Sequence, residues 1–308
     1  MVRSVRAPGL LLYAIGMAFS LPSFAKINWT LRVAGKRTDG FHELCTIFQT
    51  VSLQDTLHFE DSDELSMTCD DPAVDADRNN LVIRAAVLLQ SRSLVRKGAR
   101  IHLEKRIPFP GGLGGGSSNA AITLIGLSRL WGREAIDLQP IAEELGSDVP
   151  FFVYGGTALG TGRGERIESV RDITEKNLLI VTPEVKIATA GVFASVSAPT
   201  LTKSGPDHNL TVCRKDAEAF DTRHSELKND LELGVFAKHP EVERVKNALL
   251  ELGAVNAAMS GSGASVFGIF DKQETRQAAI EALATEQSWR KFAVSTISRS
   301  EYRDALKA

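Results

Sequence analysis

Residues 108–121 read PFPGGLGGGSSNAA, and the fold turns on how they are read. Five glycines fall in the six positions from Gly111 to Gly116. Without a Cβ, such a run turns tightly and lets a ligand approach the backbone. The preceding stretch 99–107, ARIHLEKRI, alternates and reads as a half-buried strand. The following stretch, 119–131, reads as a helix, with Ser117 and Ser118 near its cap. A strand, a glycine turn and a helix in that order present free N–H groups to an anion, above all a phosphate. A plain flexible turn is the alternative, and the flanking strand and helix weigh against it. The spacing fits neither GxxxxGK[ST] nor GxGxxG, so a Walker loop and a dinucleotide fold are not indicated. GxSxG is absent as well, which leaves a hydrolase nucleophile elbow unsupported.

Four further stretches gather around this one. MSGSGASVF, 259–267, is a second small-residue loop before an apolar strand, either a tight turn or the other half of a phosphate site. GSDVPFF, 146–152, holds Asp148, which is either a helix N-cap or a general base beside a phosphate donor. Lys26 stands in an otherwise apolar strand, where a lysine is costly unless paired, and is the natural partner of Asp148. It can also stabilise negative charge in a transition state. Asp39-Gly40-Phe41-His42 sets an aromatic beside a polar ring at a turn. That pair suits a planar base, or equally a hairpin corner with Phe41 buried. The six histidines form no HxxxH pair, so a histidine metal site is not expected.

Composition bounds the rest. The 308 residues suggest one large domain or two ordinary ones, and 43% hydrophobic with 24% charged residues excludes disorder, collagen and coiled coil. Lys+Arg 36 against Asp+Glu 38 leaves a net charge of −2, with no basic surplus for nucleic acid. Cys45, Cys69 and Cys213 are widely spaced and odd in number, so neither a disulfide framework nor structural zinc is expected, and a reducing compartment is. The start is the anomaly. MVRSVR, an apolar run over 9–21 and Ser23-Phe24-Ala25 match a secretory signal peptide. The competing reading makes 21–33, LPSFAKINWTLRV, a strand that cleavage after Ala25 would cut, with Met17 a possible first residue.

From Lys26 onward strands and helices alternate. Strands are expected over 26–33, 46–51, 55–59, 99–107, 177–182 and 264–270, and strand with turn over 151–164. Helices are expected over 81–90, 119–131, 138–145, 189–195, 217–229, 241–252 and 275–285, with a loop over 70–80. The polar stretch 169–176 is the best boundary, giving an extension over 1–20, one domain over 21–172 and a second over 173–308.

The glycine-rich loop resembles the phosphate-binding motif of the GHMP kinases, and MSGSGASVF resembles their third motif. AKINWTLRVAGKRTDGFHELCTIFQ is similar to their first conserved stretch. KINWTLRV, GKRTDGFHEL, GSDVPFF and GGTALGTGRGE together narrow the resemblance to members whose acceptor is CDP-methylerythritol. It covers about residues 21–270. The resemblance implies an α+β fold in two domains, with the ATP loop in the first and the acceptor in the cleft between them. It implies a cytoplasmic enzyme, monomer or homodimer, that uses ATP and Mg²⁺, acts on small molecules in isoprenoid biosynthesis and binds neither nucleic acid nor membrane. Asp148 would be the base and Lys26 its charged partner, with Asn28 nearby. Gly111, Gly112, Leu113, Gly114, Gly115, Gly116, Ser117 and Ser118 would cradle the nucleotide phosphates. Asn80, Lys105 and Asn119 fall where the family contacts ATP. Phe41 and Phe193 would sandwich the cytosine, His42 would hydrogen-bond it, and Thr189 would sit close to the acceptor. No metal ligand is implied. Phe41 stands where the family often has Tyr, Trp29 replaces an aliphatic and Ser147 an alanine. A mevalonate or homoserine kinase of the same fold, a nucleotide binder without catalysis, and a secreted binding protein are the alternatives. Phe41-His42, the presence of both Asp148 and Lys26, and the glycine loops argue against them in turn.

Overall fold

The computed structural model describes residues 18–37, 39–194 and 206–307. Its first element is a long antiparallel hairpin. β1 (Ala18–Lys36) pairs with β2 (His42–Ser62) from Ala18↔Glu60 to Lys36↔His42. Short strands over 26–33, 46–51 and 55–59 were the expectation. The gap left between the last two is a bulge at 52–53: Phe24 faces Gln54 and Ala25 faces Val51, and β2 runs on.

β3 (Leu65–Cys69), β4 (Gly98–Glu104), β5 (Thr157–Gly162) and β6 (Arg166–Ser169) complete a six-stranded sheet, ordered β3-β4-β2-β5-β6 with β1 on β2. Helices α1 (Leu81–Ser93), α2 (Gly115–Leu130), α3 (Gln139–Leu145) and α4 (Val149–Tyr154) share its core, with Leu57, Phe59, Ile101, Leu124 and Phe151. Each such side chain contributes about 1.5–3 kcal/mol on burial. Residues 151–154, expected as strand, are helical because Phe151 and Phe152 turn into this core behind Pro150. Helix α2 starts four residues before Asn119, since the glycine loop itself supplies the first turn.

The second sheet runs β10-β7-β9-β8, all antiparallel: β7 (Leu178–Pro183), β8 (Asn256–Met259), β9 (Val266–Ile269) and β10 (Trp289–Val294). Helices α7 (Glu232–Lys238), α8 (Pro240–Glu251) and α9 (Gln273–Ala282) back it through Val235, Val245, Leu249 and Ala279. The short α5 (Thr189–Ala194) and α6 (Pro206–Ala219) lie on either side of the undescribed stretch 195–205. A third cluster joins the two sheets, with Ile27, Trp29 and Ile47 from one and Ile180, Phe267 and Ile269 from the other. Trp29 meets Phe267 edge-on at 5.4 Å.

Three expectations are corrected here. The helix expected over 217–229 ends at Ala219, because the chain after it bonds to β1 instead: Leu31 N–H donates to Lys228 O and Asp230 N–H to Leu31 O. The last helix, α10 (Arg299–Ala305), does not stay with the second sheet. Its Tyr302 is fully buried against Phe24 of the first core and donates to Phe152 O at 2.5 Å. Cys45 of β2 and Cys213 of α6 are joined by a disulfide, with Cα atoms 6.1 Å apart, and Cys69 is free. A pair separated by 168 residues leaves no mark in spacing, since it depends on α6 packing against β2. Residues 1–17, most of the N-terminal extension, lie outside the described residues. Leu21, Phe24 and Ala25 are buried in the sheet, so a cut after Ala25 would remove part of a core strand. Among the described residues no helix is long and apolar enough to cross a membrane.

Candidate active site

The glycine loop, the β1–β2 hairpin, the start of α4 and the loop 259–265 enclose one cleft of about 760 Å³. The glycines have steric work here. At Gly112 (φ +72°) a Cβ would stand 2.1 Å from Ser260 O, and at Gly114 (φ +70°) 2.8 Å from the Phe152 ring. A side chain at Gly112 would push the glycine loop off the loop 259–265, and one at Gly114 would push it off α4. Gly114 caps α2 with no side-chain bond to the helix start, so the first N–H groups of a 16-residue helix remain for a ligand at a favourable dipole end. Gly111 to Gly116, Leu113 and Ser117 all line the cleft.

Lys26, from β1, is buried with 3% of its side chain exposed. Its ammonium donates to Asn28 Oδ1 at 2.6 Å and Gly112 O at 3.0 Å, and lies 3.4 Å from Asp148 Oδ2. Asn28 is held in turn: its Nδ2 donates to Thr46 Oγ1 at 2.7 Å, and Thr46 donates to Thr30 O at 2.7 Å. Asp148 occupies the N-cap position of α4 but makes no side-chain cap bond. Its carboxylate is a third exposed and faces Lys26 and the cleft. The arrangement puts a carboxylate and an ammonium opposite a helix N-terminus, as transfer of a phosphoryl group to a hydroxyl requires.

The other end of the cleft is aromatic. The His42 and Phe193 rings stack at 5.6 Å, and Phe41, half exposed, carries the Arg163 guanidinium at 4.9 Å. Burial, with some help from the Lys36 charge, pulls the His42 imidazolium below the ordinary histidine value. The two rings expected to sandwich a base thus have the Arg163 guanidinium and the His42 ring as their present neighbours. Thr189 also lines the cleft and shares a hydrogen bond with Ser262 of the second small-residue loop at 2.9 Å.

Four of the residues expected at the nucleotide have side chains elsewhere. Asn80 caps α1, accepting from Val82 N–H at 2.9 Å and donating to Asp75 O at 2.7 Å. Ser118, Asn119 and Lys105 join a buried polar cluster behind the loop, centred on Asp55. Asp55 is wholly buried and accepts from Lys105 Nζ (2.9 Å), Arg106 N–H (2.7 Å), Ile107 N–H (2.7 Å) and Asn119 Nδ2 (3.1 Å). Ser23 donates to Asn119 Oδ1 at 2.6 Å. Burial depresses the Lys105 ammonium below the usual lysine value, and Asp55 opposes that shift. Sequence reasoning missed Asp55, Thr46 and Arg163. A lone carboxylate opening the apolar run 55–59, and an arginine between the glycines of GTGRG, were the available signals.

Among the described residues no three His, Cys, Asp or Glu side chains converge on a metal site. Asp148 is the one carboxylate there that lines the cleft. That donor set suits a Mg²⁺ brought in on phosphate oxygens rather than a protein cage.

Comparison with known proteins fits this geometry. The families described as "GHMP kinases N terminal domain" and "GHMP kinases C terminal" match residues 80–156 and 212–288. A 4-diphosphocytidyl-2-C-methyl-D-erythritol kinase of Chlorobium limicola is 40% identical over 88% of this chain and 94% of its own length. One from Solibacter usitatus is 39% identical over 92% and 90%. A crystal structure of 4-(cytidine 5'-diphospho)-2C-methyl-D-erythritol kinase superposes with a TM-score of 0.75 at 33% identity, covering 90% of this chain and 99% of that one. A homoserine kinase from Cytophaga hutchinsonii shares the fold alone, at 19% identity and a TM-score of 0.68 over 95% of this chain and 99% of that one.

Proposed function

The chain belongs to the 4-diphosphocytidyl-2-C-methyl-D-erythritol kinases within the GHMP kinases, and on that premise we propose how its own residues carry the reaction. The activity is ATP-dependent phosphorylation of the acceptor's 2-hydroxyl, a step of non-mevalonate isoprenoid biosynthesis. Asp148 takes the proton of that hydroxyl as its oxygen attacks the γ-phosphorus. The bond from the γ-phosphorus to the oxygen bridging it to the β-phosphate breaks, and ADP leaves with the electron pair. Lys26 orients the Asp148 carboxylate and offsets charge on the transferred group. Asn28, itself locked by Thr46, holds the ammonium in place. The N–H groups at the start of α2, with Gly111 to Ser117, bind the ATP phosphates. Mg²⁺, when bound, offsets their charge. Asn80, Lys105, Ser118 and Asn119 support the nucleotide site from behind rather than by side-chain contact. Phe41, His42 and Phe193 take the cytosine, and Thr189 ties the acceptor side to the second small-residue loop. The use of ATP supports a cytoplasmic location, and the burial of Leu21, Phe24 and Ala25 argues against a cut after Ala25, while the Cys45–Cys213 disulfide argues for a less reducing setting.

One observation supports this reading above the others. Asp148 sits at a helix start yet leaves the helix uncapped and turns to Lys26. The test is ADP release by Asp148→Asn with ATP, Mg²⁺ and the cytidine acceptor. Turnover should fall by about 10²–10⁴-fold with ATP binding intact, the range for a lost general base. Turnover near that of the parent enzyme would make Asp148 a structural residue. Mevalonate and homoserine in parallel should give no stimulation.

A further inference from the structure

Arg163 is a cleft residue that the reaction above leaves unused. It stands in the turn between β5 and β6, where Gly162 and Gly164 have φ of 72° and 106°. Its backbone N–H donates to Glu165 at 2.5 Å, which fixes the turn without help from the side chain. The guanidinium lies over Phe41, and its nearest carboxylate, Glu165, is 3.9 Å away, beyond hydrogen-bond reach. Among the described residues nothing accepts a hydrogen bond from the guanidinium. A planar cation is thus held in place by a ring with its N–H edges unclaimed.

The position matches the chemistry of the acceptor. A Cβ built on Gly164 would stand 4.0 Å from Asp148 Oδ1, so the turn reaches from the base to the aromatic end. In the acceptor, the reacting alcohol and the cytidine are joined through a diphosphate. With the hydroxyl at Asp148 and the base at Phe41, the diphosphate falls beside Arg163. Two other cations line the cleft among the described residues. Lys26 is committed to Asn28, Gly112 and Asp148, and Lys36 is exposed at the end of β1. We propose that Arg163 binds the diphosphate bridge through paired N–H donors, so that the cleft selects a nucleoside-diphosphate conjugate over an uncharged alcohol. The proposal rests on the acceptor orientation given above.

Calorimetric titration of the parent enzyme, Arg163→Met and Arg163→Lys with CDP, CMP and cytidine tests it, alongside steady-state kinetics. The parent enzyme should bind CDP at least about tenfold tighter than cytidine, Arg163→Met should abolish that preference, and Arg163→Lys should restore part of it. For Arg163→Met the acceptor KM should rise roughly 10–100-fold while kcat and the ATP KM stay put. Unchanged ATP binding and melting temperature would certify the fold. If Arg163→Met keeps the CDP preference, or loses cytidine and CDP equally, the side chain only packs on Phe41 and the proposal fails. A preference lost only in Lys36→Met would move the contact to that lysine and overturn it equally. A parent enzyme that binds no CDP would overturn the acceptor orientation and this proposal together.

Discussion

Replacing Asp55 by asparagine changes one atom type at the centre of the cluster behind the glycine loop. Oδ1 of Asp55 takes the backbone N–H groups of Arg106 and Ile107, both at 2.7 Å. An asparagine that keeps those bonds must turn its NH₂ toward Lys105 Nζ and Asn119 Nδ2, which are themselves donors. A flip of Asn119 could relieve its own clash, since the Ser23 hydroxyl can accept as well as donate, but it does nothing for Lys105. Lys105, with 7% of its side chain exposed, is left as a buried charge without its counter-charge. Breaking such a pair from one side costs about 3–5 kcal/mol, a large share of the ~5–15 kcal/mol that holds a typical domain together. The folded Lys105 sheds its proton at lower pH than the unfolded one, so between those two values the unfolded chain binds more protons and stability rises with pH. Loss of the Asp55 charge widens that window downward. The penalty should therefore be greatest near neutrality and shrink toward pH 10. Urea unfolding followed by tryptophan fluorescence measures it, and Lys105→Met with the Asp55→Asn/Lys105→Met double variant completes a cycle. The double variant should be more stable than the sum of the single losses implies, by about 2 kcal/mol or more. Additive losses, or a single-variant penalty below about 1 kcal/mol, would refute the claim that the pair is coupled.

Two shorter predictions concern the same framework. Thr46→Val should leave the Asn28 amide and the Thr30 carbonyl unpaired, cost about 1–3 kcal/mol of stability, and lower kcat more than it alters the ATP KM; an unchanged kcat would detach Thr46 from Lys26. Reduction of Cys45–Cys213, which spans 168 residues, should lower unfolding stability by up to about 5 kcal/mol, seen as a shift in urea midpoint that Cys213→Ser abolishes. Equal midpoints with and without reductant would show that the α6 contact holds without the bond.

What the residues disclosed unaided was the part of the site built from local geometry. A glycine run between a strand and a helix, a lysine alone in an apolar strand, and an aspartate beside Gly146 and Pro150 each betray themselves within a few positions. The cleft brings all three together. What stayed hidden depends on distant partners. Asp55 draws its meaning from residues 105–107 and 119, and Cys45 from Cys213. Lys105 and Asn119 are expected at the nucleotide from the family resemblance alone; Asp55 draws both side chains behind the loop, which their own neighbourhood does not reveal. A helix is expected over 217–229, yet beyond Ala219 the chain turns back so that Leu31 of β1 bonds Lys228 and Asp230, a tertiary demand that outweighs local propensity.

The return of the C-terminal helix to the first sheet bears on how the chain is made. Gly155 presses so closely on Tyr302 that a Cβ there would lie 2.2 Å from the ring, and Tyr302 closes the space between Phe24 and Phe152. The phosphate loop and its sheet are translated first, but the plug for their core follows only after all four strands of the second sheet. The N-terminal half thus emerges from the ribosome with an open floor, and the ATP-binding half gains its finished interior only after the strands of the second sheet have been made.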